Sequence, residues 1–190
     1  YPSEVPKQLP PVPFANLPEL LRTAASTYEK TTAFTQVMPN GMNGSLTYAQ
    51  VDLLSDHFAS YLREELGLAA GDRVAVQMPN CLSYPIVAFG VFKAGCVLVN
   101  TNPLYTPTEM IHQFSDSGAT TLVIIDMFAG RLPEVLGKTD IKNVVTVKIS
   151  QYFPPVVGGI VRMVQKFWSR SLPKIEVDHT KFSSALSKGK

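Results

Sequence analysis

The sequence predicts an α/β fold, with alternating βαβ units giving a mostly parallel sheet flanked by helices. Three observations predict it. Strand-like and helix-like segments alternate along residues 71–149. The strands at 73–78, 96–99 and 121–125 are apolar at successive positions, as in a sheet covered on both faces. Capping and turn residues stand at the junctions between them.

Taken in order, residues 1–15 carry Pro2, Pro6, Pro10, Pro11 and Pro13 and are expected to run extended. Asn16 offers a helix cap with Glu19 three residues on, and Leu17, Leu20, Leu21, Ala24 and Tyr28 make one helical stripe. Residues 32–37 read as a strand. Turns at Pro39-Asn40-Gly41 and Asn43-Gly44 then return the chain into Ser45-Leu46-Thr47. Thr47 and Gln50 form a capping box, and helical spacing runs through Val51, Leu54, Phe58 and Leu62 as far as Gly67. A strand at 73–78 is broken by Pro79-Asn80, and a nearly all-apolar helix at 82–94 ends at Gly95. Residues 96–99 read as a short buried strand. Thr106-Pro107-Thr108-Glu109 forms a further capping box with proline at the first helical position, and that helix stops at Gly118. Thr121–Ile125, a helix at Leu132–Leu136 and a strand at 143–149 complete the pattern.

Residues 151–190 differ in character and read as an amphipathic helix and tail appended to the α/β unit of residues 1–150. Val157, Ile160, Val161, Val164, Phe167 and Trp168 fall on one side of a helix at 157–170, with Arg162, Lys166 and Arg170 opposite. Two readings stay open: a helix packed on the domain with its charges in water, or a surface helix resting on anionic lipid.

Composition excludes some classes. A net charge of +2 gives no basic excess for neutralising nucleic-acid phosphates. No apolar run approaches the roughly 20 residues of a membrane-spanning helix. Cys81 and Cys96 sit in or beside apolar runs without CxxC spacing, which suits buried thiols in a reducing, cytoplasmic setting. The chain starts at Tyr1 with no signal-peptide pattern, as expected of a piece of something longer.

No catalytic constellation assembles. His57, His112 and His179 lack metal-ligand spacing, and neither a GxSxG elbow nor a Gly-rich phosphate loop is present. The stretch VNTNPLYTPTE (99–109) is the best candidate for a binding surface, because it follows a strand and opens a helix, where open α/β sheets gather ligands. Asn100 and Asn102 can donate and accept, and Tyr105 adds a ring and a hydroxyl. The competing reading makes the asparagines turn formers and Thr106 a cap. Arg131, after Gly130, is a second candidate, against the reading of a solvated surface charge.

Certain blocks resemble the adenylate-forming enzymes. Leu46-Thr47-Tyr48-Ala49-Gln50-Val51 is similar to that superfamily's first core motif, with Gln50 where glutamate is usual. Phe92-Lys93-Ala94-Gly95-Cys96-Val97-Leu98-Val99 resembles the second, and GDRVAVQMPN (71–80) resembles the strand and turn between them. VNTNPLYTPTEM and HQFSDSGA (112–119), with YPSEVP and the 150–175 segment, are similar in particular to bacterial long-chain fatty acid–CoA ligases. The family's Gly/Thr-rich phosphate loop is missing from these 190 residues.

The resemblance implies the amino-terminal portion of an ATP-dependent ligase, inactive by itself. It implies ATP, Mg2+ and coenzyme A as cofactors of the full-length enzyme and a long-chain fatty acid as substrate. It further implies the remainder of the same enzyme as partner and homodimer contacts, while contact of 157–170 with an anionic membrane is expected from its amphipathic pattern. Asn102, Pro103, Leu104 and Tyr105 correspond to a segment near the coenzyme A nucleotide, and Arg131 falls close to where some relatives place a phosphate-contacting arginine. A stand-alone nucleotide- or coenzyme-A-binding module and a membrane-docking domain remain the alternatives.

Overall fold

The computed structural model describes residues 2, 4, 6, 8, 11–168 and 172–190; Arg170, the Trp168 side chain and much of the proline-rich start lie outside them. Helix α1 (Leu17–Thr27) is followed by the hairpin β1 (Thr32–Val37) and β2 (Asn43–Thr47) and by α2 (Tyr48–Ser60). Then come β3 (Arg73–Gln77), α3 (Ser83–Lys93), β4 (Val97–Asn100), α4 (Pro107–Ser117), β5 (Thr121–Ile125), α5 (Leu132–Leu136) and β6 (Asn143–Val147). The chain closes with α6 (Pro155–Met163), β7 (Thr180–Lys181) and α7 (Phe182–Lys188). The hairpin is antiparallel, and the main sheet has the order β4-β3-β5-β6-β7 with every neighbouring pair parallel.

The side-chain alternation of the strands sorts the core into two layers. Val74, Val76, Val123, Ile125, Val145 and Val147 pack with Val51, Phe58, Ile86 and Phe182 from α2, α3 and α7. Ala75, Leu122, Ile124 and Val144 pack on the other face with Met110, Phe114, Leu132 and Val135 from α4 and α5. The connection leaving β3 therefore lies on one face and that leaving β5 on the other, so the chain reverses its winding at β3. Such a switch point opens a crevice at the strands' carboxyl ends.

The capping boxes form as expected. Thr47 Oγ1 accepts from the Gln50 N–H while the Gln50 side chain accepts from the Thr47 N–H. Gly118 closes α4 at φ 61°, a left-handed conformation that favours glycine.

Several expectations change. Residues 96–99 do not make a buried strand: β4 is the sheet's edge, and Val97 is 47% exposed. The expected stripe of α1 mostly faces outward, and Leu21 with Ala25 makes its inner contact. Asn43 and Gly44 belong to β2 rather than to the turn. Beyond Ser60 the second helix widens into one π turn at Tyr61–Glu65. Residues 180–188, expected in a tail, supply β7 and α7, with Phe182 edge-on to Phe58 at 5.2 Å. The helix expected at 157–170 begins at Pro155 and turns to π form at Val164–Trp168. The expected apolar side is also split, with Val157 and Val161 on the core and Ile160, Val164 and Phe167 facing out. Val161 and Gln165 point inward, Arg162 pairs with Asp126, and Val156, Ile160, Met163 and Phe167 face out.

Candidate functional site

The stretch between β4 and α4 lies at the carboxyl edge beside this crevice. Thr106 caps α4: its Oγ1 accepts from the Glu109 N–H, and its own N–H donates to Glu109 Oε2 at 2.8 Å. These bonds from Thr106 hold the Glu109 carboxyl below the usual range. Pro107 at the first helical position needs no partner for a missing N–H.

Residues 101–105 are fixed from within. Asn102 Oδ1 accepts from the Leu104 N–H at 3.0 Å, and its carbonyl accepts from the Tyr105 N–H at 3.1 Å. Gln77, fully buried at the end of β3, donates to the same carbonyl at 3.1 Å. Asn100 accepts from the Tyr84 hydroxyl at 2.9 Å through Oδ1 and from Gln113 Nε2 at 2.8 Å through its carbonyl.

Arg131 is brought to this loop. Its Nη1 donates to the carbonyl of Pro103 at 3.2 Å and to that of Tyr105, while its guanidinium lies 4.9 Å from the centre of the Phe128 ring. It is half-buried, so the reading of a free solvated charge fails. One guanidinium thereby ties the start of α5 to the entry of α4.

What the loop offers outward follows from what remains. The Leu104 side chain is 70% exposed, the Asn102 side chain is exposed, and Tyr105 packs partly against the core. Tyr105 also lines a groove of about 350 Å³ along α4 with Thr108, Glu109, His112, Gln113 and Asp116. Beneath the loop, Gln77 Oε1, Thr101 Oγ1 and Gln113 Oε1 are buried with no hydrogen-bond partner among the described residues. Sequence reasoning passed over these three. The available signal was a glutamine ending an otherwise apolar strand.

A second polar region was also missed. Asp126, at the end of β5, is 5% exposed and pairs with Arg162 of α6 through Oδ2. His112 lines the α4 groove with Glu109 and Asp116, but among the described residues no group of three His, Cys, Asp or Glu side chains suits a metal ion. Cys81 and Cys96 are free and buried, and burial raises both thiols above their ordinary range. Among the described residues no helix is long and apolar enough to cross a membrane.

The loop, its capped helix and the parallel sheet match a known family. The family model described as AMP-binding enzyme covers residues 21–173. The chain belongs to the AMP-binding enzyme family. A long-chain-fatty-acid–CoA ligase of Yersinia pestis is 40% identical over 191 residues, covering 100% of this chain and 33% of the relative. One from Salmonella typhimurium is 39% identical over 190 residues with the same coverage. The chain thus spans about a third of the length of these relatives. A solved long-chain-fatty-acid-CoA ligase from Archaeoglobus fulgidus superposes with a TM-score of 0.60 at 25% identity, covering 71% of this chain and 29% of that one. An anthranilate CoA ligase superposes over 92% of this chain and 28% of its own, at TM-score 0.69 and 16% identity, which speaks for the fold alone.

Proposed function

We propose that this chain is the amino-terminal portion of a long-chain fatty acid–CoA ligase. The observation that carries the reading is the identity of about 40%, over the chain's whole length, to proteins bearing that name. In the proposed reaction a fatty acid carboxylate oxygen attacks the α-phosphorus of ATP, releasing pyrophosphate and forming an acyl-adenylate. The thiol of coenzyme A then attacks the acyl carbon and AMP leaves with the bonding electron pair. Passing through the adenylate replaces a poor leaving group by a good one.

In this reading, ATP and Mg2+ are handled by the two thirds of such an enzyme that these 190 residues do not match. Asn102, Pro103, Leu104 and Tyr105 fit one edge of a path for coenzyme A or the acyl chain: a rigid, capped loop with an apolar tip, beside the switch point. Arg131 serves that edge by clamping the loop carbonyls, with Nη1 committed to them.

We also propose a cytoplasmic setting for the intact protein, supported by its two free, buried thiols. A peripheral membrane contact is supported by the outward stripe of Val156, Ile160, Met163 and Phe167, with Lys166 5.1 Å from the centre of the Phe167 ring.

The test is direct. The intact protein with ATP, Mg2+, coenzyme A and a long-chain fatty acid should consume thiol and release AMP in equal amounts. AMP release without thioester formation, or no dependence on fatty acid, would overturn the assignment. Co-sedimentation with anionic vesicles should weaken on Phe167→Ser. Unchanged sedimentation would leave the stripe to contacts within the protein and remove the membrane reading.

A further inference from the structure

The carboxyl edge of the sheet carries a second concavity, away from the 99–109 loop, built by strand alternation. On β5, Leu122 and Ile124 face the α4–α5 layer, and Asp126 continues that parity. On β6, Val144 faces the same layer, and Thr146 and Lys148 follow it. Lys181 of β7 stands in register with Thr146. Helix α6 crosses this edge and brings Arg162 onto Asp126. The result is a crevice of about 420 Å³, lined by Lys148, Ser150, Arg162 and Ser183 among others, with an inner chamber of about 70 Å³ reaching Asp126, Thr146, His179 and Lys181.

Its charge is one-sided. Asp126 is the sole carboxylate lining either cavity, and Arg162 pairs with it. Lys148 and Lys181 have no ion-pair partner among the described residues, so two positive charges stand uncompensated in one concavity. A second observation also points to a ligand: Asp126 Oδ1 is buried in the chamber wall and accepts no hydrogen bond from any described residue. A ligand matching both features carries a multiply charged anion and a hydroxyl or acidic proton next to it.

We propose that this crevice binds a phosphate group, with Lys148, Lys181 and the outer edge of Arg162 donating to its oxygens and Asp126 Oδ1 accepting from an adjacent O–H. Ammonium and guanidinium donors lining one cleft are the chemistry that retains phosphate. The phosphate belongs either to a soluble ester or to a phospholipid headgroup. The outward apolar stripe on the same helix, α6, favours the lipid source.

The experiment is lysine footprinting of the intact protein by a soluble amine-acylating reagent, read by mass spectrometry. Inorganic pyrophosphate at ten times its dissociation constant should slow labelling of Lys148 and Lys181 by about tenfold, the unoccupied fraction that remains at that excess. Lys138 and Lys142, exposed at the amino-terminal edge of the sheet, should label as before. A parallel arm uses phosphatidylcholine vesicles with and without phosphatidic acid. Protection by pyrophosphate assigns a soluble phosphate, and protection only by phosphatidic acid vesicles assigns a headgroup. Protection by neither, or equal protection of Lys138 and Lys142, overturns the site. The Lys148→Ala/Lys181→Ala double variant should lose one component of pyrophosphate binding in calorimetry. Where pyrophosphate protects the wild type, an unchanged isotherm of the double variant overturns the proposal equally.

Discussion

Replacing Arg131 by alanine isolates the clamp that joins α5 to the loop. The change removes two hydrogen bonds from a charged donor to carbonyls, at about 1.5 kcal/mol each, and a cation–π contact with Phe128 of about 0.5 kcal/mol. Arg131 is only half-buried, and water replaces part of what is lost, which brings the net cost to about 2 kcal/mol. The cost should fall on the local opening of the loop, because the carbonyls tied belong to Pro103 and Tyr105. A change of that size accelerates exchange through local opening by about thirtyfold. Hydrogen exchange on a peptide spanning 101–107 reads it through the Leu104 and Tyr105 amides, both bonded to Asn102. Arg131→Lys, with a single ammonium in place of the fork, should fall between wild type and alanine. Unchanged exchange at these amides would refute the clamp. So would a uniform acceleration across β3 and β5, since that reports global destabilisation.

Three further outcomes follow from the packing and charge. Gly90→Ala should lower the unfolding midpoint by an amount equivalent to about 2 kcal/mol, since the new Cβ would stand 2.8 Å from Phe58 Cδ1 and 3.2 Å from Ser55 O; an unshifted midpoint refutes tight α2–α3 packing. Lys93→Met should cost about 2 kcal/mol in urea unfolding, because the Lys93 side chain is 5% exposed between Asp52 at 2.6 Å and Asp56 at 2.8 Å. Asp56→Asn, at the exposed end of that pair, should cost under about 0.5 kcal/mol, and equal costs would contradict the burial argument. Glu109 has a folded-state pKa below its unfolded value, so its contribution is present above the unfolded value near about 4.3 and is lost as pH falls through the depressed one. Urea midpoints of wild type and Glu109→Gln should therefore converge below that window, and a difference independent of pH would refute the linkage.

What the sequence revealed follows the range of the interactions. Capping boxes at Thr47 and Thr106 and the helix stop at Gly118 are written within four residues, and each forms as read. The parallel sheet was legible because strands covered on both faces need apolar residues at successive positions. Strand order was not, and Val97 is half-exposed only because β4 lies at the edge. The two-residue β7 is too short to carry a periodic signal. Helix α6 shows the limit most plainly. Its apolar residues left open whether they face the core or lipid, and Asp126, 36 residues upstream, draws Arg162 toward the sheet while Ile160 and Phe167 stay outside. At the site, Thr106–Glu109 were fixed locally, whereas the partners of Arg131 lie 26 and 28 residues away and could not be read from spacing.

Given to the coenzyme A path rather than the acyl path, the proposed loop after β4 serves thioester formation and not adenylate formation. In the intact protein, Leu104→Asp should raise the KM for coenzyme A by about tenfold or more while leaving fatty-acid-dependent ATP–pyrophosphate exchange within about twofold of wild type. An unchanged KM for coenzyme A, or exchange that falls in step with the full reaction, would contradict the account.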